Sequence, residues 1–211
     1  MKHPFLVGEL VYLRPLQADD AELFAEWLND TRVTRTLRAR GPITVEAERE
    51  WIARVSADPS EFVCALVLRK GDRLIGSAGL HAIDWQARSA SFGIKIGIPA
   101  MWGRGYGTEA TRLVTDHAFR TLNLNRVGLQ VHAGNVAGRR AYEKAGYRVE
   151  GIQREAVYRE GRFGDLVLMA VLRSQWEAAA GADGKPRAAA RAGPAARRGG
   201  GTAGAKGRRK R

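Results

Sequence analysis

The stretch Met101–Leu113, "MWGRGYGTEATRL", sets Gly103, Gly105 and Gly107 in alternation and then passes straight into residues with helical spacing. The first turn of a helix carries N–H groups without intrahelical acceptors and the positive end of the macrodipole. A backbone bare of side chains at that point lets an anion such as a phosphate reach the main chain. Glycine also serves a tight turn that needs a positive φ, and the stretch by itself admits both readings. Beyond it, Ala110, Leu113, Val114, Ala118 and Leu122 recur at helical spacing while Arg112, Asp116 and Arg120 take the other side, so the loop opens an amphipathic helix. The spacing then separates the phosphate binders. A dinucleotide fingerprint needs G-x-G-x-x-G, whereas these glycines give G-x-G-x-G, and a Walker loop needs a lysine where Thr108 directly follows Gly107. What is left is a loop that offers successive N–H groups to a pyrophosphate, with Arg104 as an added cation or as an outward, solvated arginine.

Outward from this loop the chain alternates short elements. Glu9–Leu16 reads as an opening strand, "DDAELFAEWLND" as an amphipathic helix with Leu23, Phe24, Trp27 and Leu28 on one face, and a second helix begins near Thr44 as N-cap. Three strands follow over Phe62–Leu68, Leu74–His81 and Ala90–Ile98, the first pair joined by the turn "KGDR", as an antiparallel meander. After the glycine helix come a strand at Arg126–His132, a helix "NVAGRRAYEKAG" closed by Gly146, and strands Tyr147–Tyr158 and Leu166–Leu172 linked by "REGRFGD". This order predicts an α/β fold of mixed α+β type, a mixed sheet with helices on its faces.

With 211 residues and 45% hydrophobic content the chain can bury one core and is short for two domains. The single Cys64 lies in the apolar run "FVCALVL", where a buried, inert thiol in a reducing cytoplasm is the expectation. "MKHPFLVGEL" has no signal-peptide apolar region, and the longest apolar run, "LVLMAVL", is of strand length, so no membrane partner is expected. The net charge of +13 is concentrated at one end. Ten of the 35 Lys and Arg residues but only one of the 22 Asp and Glu lie from Ala178 onward, leaving +4 on residues 1–177. Residues 178–211 contain no apolar side chain larger than alanine or proline, so a disordered basic tail is expected. Such a polycation binds RNA, ribosomes or DNA weakly and salt-sensitively; the alternative is a solvated extension with no partner.

"IGIPAMWGRGYGTEA" resembles motif A of the GNAT superfamily of acyl-CoA N-acyltransferases, Gln/Arg-x-x-Gly-x-Gly/Ala, with Gly105 and Gly107 at the glycine positions and Trp102 where many members have Gln or Arg. "LNLNRVGLQVHAGNVAGRRAYEKAGYRVEG" and "REAVYREGRFGDLVLMAVLRSQW" are similar to the strand-helix-strand element and closing hairpin of its Rim-type branch, which acetylates ribosomal-protein N-termini. The likeness runs from about Glu9 to Trp176. It implies the GNAT fold: a twisted, mostly antiparallel sheet of about seven strands, with helices on both faces and a splayed parallel pair that holds the coenzyme. Acetyl-CoA is then the co-substrate, and no metal is involved. Ile96, Gly97 and Ile98 come to lie beside the pantetheine arm, with an N–H among them for the oxyanion. The amides of Arg104, Gly105, Tyr106, Gly107 and Thr108 lie on the pyrophosphate.

The resemblance also assigns Tyr142 as the general acid that protonates the departing thiolate, against its plain reading as a packed aromatic. Asn135 matches a coenzyme-contacting Asn and otherwise reads as a helix N-cap. Gly138 replaces a serine found in many relatives, which leaves more of the work to Tyr142. The base candidates are His132 and Asp84, each also readable as structural or surface. Weak base assistance suits an α-amine with a pKa near 8, about a tenth neutral at pH 7, better than a lysine near 10.4. The leading acceptor is therefore a protein N-terminus. The alternatives are a small amine such as a polyamine or aminoglycoside, favoured if Asp19, Asp20, Glu22 or Asp84 line an acidic mouth, and a silent fold whose tail binds nucleic acid.

Overall fold

Thr44 Oγ1 accepts the N–H of Ala47 at 3.1 Å and starts a helix at the residue the sequence marks as its cap. The computed structural model describes residues 1–35, 37 and 41–182. In chain order the elements are β1 (Leu6–Val7), β2 (Val11–Pro15), α1 (Asp20–Asn29), α2 (Thr31–Thr34), α3 (Val45–Ala57), β3 (Phe62–Leu68), β4 (Leu74–Asp84) and β5 (Ser89–Ile96). A 3-10 turn (Pro99–Met101) leads to α4 (Tyr106–Arg120), β6 (Arg126–His132), α5 (Val136–Lys144), β7 (Arg148–Arg159), β8 (Arg162–Leu172) and α6 (Arg173–Ala182). Residues 183–211, most of the basic segment, lie outside the described residues; residues 178–182, read from sequence as its beginning, are part of α6.

All eight strands form one sheet in the order β1-β2-β3-β4-β5-β6-β8-β7. Every neighbouring pair is antiparallel except β5 and β6. That confirms the mixed, mostly antiparallel sheet with one parallel pair. Two readings shift. β8 begins at Arg162, earlier than predicted, because Val157, Tyr158 and Arg159 pair with Gly164, Phe163 and Arg162 and tighten the turn to Glu160 and Gly161, both at positive φ. The strand over the second half of the meander ends at Ile96, since Pro99 breaks it into the 3-10 turn.

Strand alternation divides the sheet into two faces. Leu80, Phe92, Leu129, Val131, Val167 and Met169 point to the side covered by α4, where they pack with Leu113, Val114, Ala118 and Phe119 in the main core. The other side is covered over β2–β5 by α1 and α3, through Phe24, Trp27 and Ile52. This second layer is partly polar. Register aligns Arg14, Ala65, Ser77 and Lys95 in one row across β2, β3, β4 and β5. Arg14 holds Asp20 through two bonds of 2.8 and 2.7 Å, and both side chains are buried. Removing either partner strands a buried charge, a loss of about 3–5 kcal/mol.

His117 on α4 stacks on Phe62 at 4.6 Å between centroids and meets Phe5 edge-on at 5.3 Å. Burial lowers its pKa to about 4. This histidine in the unfolded chain, titrating near 6.5, therefore binds the extra proton first, so its contribution to stability is complete above about pH 6.5 and is lost progressively down to about pH 4. Urea midpoints compared at about pH 4.5 and about pH 7 should differ in that direction, and His117→Phe should shrink the difference.

Candidate active site

β5 and β6 pair in parallel only at Ser89, Ala90 and Ser91, opposite Arg126, Val127 and Gly128. Beyond that point β5 stays bonded to β4 as far as Ile96, and β6 to β8 as far as His132, so a wedge opens between two strands that each keep their outer partner. Gly97 N–H is taken up by Ile75 O at 2.9 Å on β4. Alternation then turns the N–H and C=O of Ile94 and Ile96 to the opposite edge, into the wedge. An extended chain with its own amides can lie there as an added strand.

The glycine loop stands at the open end of this wedge. Gly105 has φ +87° and caps α4 without a side chain, and the first helical bond runs from Glu109 N to Gly105 O at 3.0 Å. Tyr106, Gly107 and Thr108 thus present N–H groups with no intrahelical acceptor. Gly107 sits in regular helix, and a Cβ added there would touch only Ile96 Cδ1 at 3.6 Å and Ile94 Cδ1 at 4.0 Å, which is ordinary contact. Packing therefore does not require its bare backbone, whereas an anion lying against the helix entrance does. The acid in the first turn, Glu109, is directed elsewhere: its carboxylate accepts from Glu9, Leu10 and Val11 N–H at 2.6, 2.9 and 2.8 Å, clamping the β1–β2 turn to the helix. Arg104 is exposed beside the entrance. Trp102 donates its indole N–H to Ile96 O at 3.0 Å and pins the loop to the end of β5.

Tyr142 on α5 reaches the apex of the wedge from the α4 side. Its ring meets Phe92, the first residue past the paired stretch, at 6.1 Å and edge-on. Burial raises its hydroxyl pKa to about 12, and among the described residues nothing hydrogen-bonds that hydroxyl. By contrast Tyr147, 6.2 Å from it, shares a 3.0 Å bond with Thr115 Oγ1. A phenol that stays protonated and has no internal partner suits a donor to a leaving group.

The other sequence candidates divide. Ile96, Ile98 and the 104–108 amides gather at the wedge and its mouth. Gly97 has its N–H engaged by β4 and its Cα against Trp27, where a Cβ would come within 1.9 Å of the ring. Asn135 caps α5, accepting Gly138 N–H at 2.9 Å. His132 ends β6 on the far wall, but its Nδ1 accepts Gly134 N–H at 3.1 Å, which places the proton of the neutral ring on Nε2. Asp84 accepts Gln86 and Ala87 N–H at 2.9 and 2.7 Å in the β4–β5 turn, at the end of β5 away from Ile96. Sequence reading passed over His81 and Glu61, whose Nδ1 and Oε2 lie 2.5 Å apart. The meander contained the signal: pairing Phe62 with Leu80 sets Glu61 opposite His81.

The family model described as "Acetyltransferase (GNAT) domain" matches residues 11–148, which span the wedge, the glycine loop and α5. The chain belongs to the GNAT acetyltransferase family. Among its relatives, the "Probable N-acetyltransferase YjcK" of Bacillus subtilis is 35% identical over 175 residues, 79% of this chain and 96% of that one. YdaF of the same organism, described as a candidate ribosomal N-acetyltransferase, is 33% identical over 178 residues, 81% and 96% of the two chains. Among solved structures, spermidine N-acetyltransferase of Vibrio cholerae, in complex with CoA and spermine, superposes with a TM-score of 0.74 at 25% identity over 81% of this chain and 99% of that one. This GNAT chain is an acetyl-CoA-dependent N-acetyltransferase. Among the described residues no helix is long and apolar enough to cross a membrane.

Proposed function

We propose that the enzyme moves the acetyl group of acetyl-CoA directly to the free α-amine of a protein or peptide, within a ternary complex. The arm of the coenzyme lies along Ile94 and Ile96, its pyrophosphate on the amides of Tyr106, Gly107 and Thr108, and its thiolate takes a proton from Tyr142. The observation that carries the choice of acceptor is the fate of the four carboxylates that would make an acidic mouth for a polycation. Asp20 is buried against Arg14, Asp84 is bonded within its own turn, and Asp19 and Glu22 stand exposed at the start of α1, Glu22 lying 3.6 Å from Arg49. Lys95 adds a cation on the same side, 4.4 Å over the Phe24 ring. A similar candidate ribosomal acetyltransferase supports the same reading.

A second reading, a small polyamine acceptor, is favoured by the likeness to the spermidine acetyltransferase fold. Thiol release from acetyl-CoA, measured with unblocked peptides, the same peptides blocked at the α-amine but carrying lysine, and spermidine, separates the two. The unblocked peptides should give the highest kcat/KM. A spermidine value about tenfold above theirs would overturn the peptide reading.

A further inference from the structure

The α4 side of the wedge apex is filled by Tyr142, Tyr147 and Phe92. The opposite side is open. Ser91 is exposed there, and Ser89, Ser91, Gly128 and Gln130 floor a cleft of about 260 Å³, rimmed by the ion pair Arg126–Glu150. His81 is the register partner of Ser91 and lies on this open side. Its ring leans across β5 beyond the paired stretch, so that Nε2 would be 2.8 Å from a Cβ built on Gly93. Glu61, mostly buried, takes the other ring nitrogen. An ionised carboxylate can only accept, so Nδ1 carries the proton of the neutral ring, and the lone pair sits on Nε2 over the wedge wall. His132 has the reverse tautomer. No other histidine among the described residues combines a carboxylate partner with a bare nitrogen at the apex.

We propose that His81 is the general base of the acetyl transfer, oriented by Glu61, and that the acceptor amine reaches the thioester from the open side of the sheet. This rests on the amine-acetylation reading above, whichever amine is used. His81 Nε2 takes one proton from the acceptor ammonium, directly or through a water. The freed nitrogen forms the C–N bond as the C–S bond breaks, and Tyr142 protonates the sulfur. The nitrogen sheds two protons over the cycle: the first leaves through His81 to solvent, and the second replaces the one Tyr142 donates. Glu61 acts through His81 and is a positioning residue. Charged and titratable groups on this side include Glu61 before β3, the pair Arg14–Asp20 of β2 and α1, Lys95 on β5, His132 and Arg126 on β6, Glu150 on β7 and Glu48 on α3; of these only Glu61 is bonded to His81.

The test uses the full chain with acetyl-CoA and the best acceptor of the panel above. His81→Gln should lower kcat about 100-fold and remove the acid limb of the kcat profile, while acetyl-CoA affinity by calorimetry, which also reports folding, stays unchanged. Glu61→Gln should cost about tenfold and move that limb to lower pH. Gly93→Ala, which keeps the imidazole but pushes it aside, should also lose turnover. A His81→Gln enzyme within about threefold of wild type and with the same acid limb overturns the assignment and leaves the acetyltransferase reading intact. A wild-type chain that binds no acetyl-CoA overturns both. If His81→Gln fails to bind the coenzyme, the wild-type kcat profile decides: an acid limb that Glu61→Gln moves supports the base, and a profile flat on the acid side overturns it.

Discussion

Gly107→Val should fold as the parent does and lose acetyl-CoA affinity by about 100-fold, measured by calorimetry beside a thermal melt. Within a helix valine has the higher propensity, and the space beside Gly107 accepts a Cβ at ordinary contact distance, so folding alone gives no reason for glycine at this point. The loss comes from the ligand side. On the proposed placement of the coenzyme, a branched side chain at the helix entrance would hold the diphosphate off the amides of Tyr106, Gly107 and Thr108, and two charge-assisted hydrogen bonds at about 1.5 kcal/mol each amount to roughly that factor. Gly105 is the less telling site, because at φ +87° any side chain adds backbone strain of its own. A Gly107→Val chain that binds acetyl-CoA as tightly as the parent would remove the phosphate role from the loop.

Tyr142→Phe should reduce kcat about 100-fold while leaving the coenzyme dissociation constant within about twofold. The phenyl ring keeps its edge-on packing against Phe92, and no internal hydrogen bond is given up, so the substitution removes the proton donor and little else. The pH consequence has a definite sign. Burial raises the hydroxyl to about 12, so the donor form persists across the neutral and mildly alkaline range, and no alkaline fall in kcat below that value belongs to this tyrosine. Unchanged turnover in stopped assays of thiol release would return Tyr142 to a packing role.

The parts of the site that repeat along the chain were legible in the sequence. Alternating glycines ahead of a helical period marked the bare helix entrance at Gly105 to Thr108, and the strand pattern marked the sheet. The parallel pair and its early divergence are different in kind. They follow from which backbone groups Ile75 and Ser91 engage, and no side-chain pattern records that. The pair behind the proposed base is hidden in the sequence for a similar reason. His132 and Asp84 look chemically apt beside the motifs, but the first has its Nδ1 turned to Gly134 and the second is folded into a turn. His81 and Glu61 lie twenty residues apart and meet only through the register of β3 with β4. Asn135 illustrates a shared signal, since a helix-capping Asn and a coenzyme-contacting Asn look alike in sequence, and the bond to Gly138 establishes the cap.

The carboxylate of Glu109 is gripped by amides 98 to 100 positions earlier in the chain. The helix entrance proposed for the diphosphate is therefore held by two parts of the chain about 100 residues apart, and loop closure over that span has to precede its formation. During synthesis the glycine loop emerges long after the hairpin that seats it. A fragment beginning after Val11 would carry every motif residue of the loop and still lack the seat on which its helix rests.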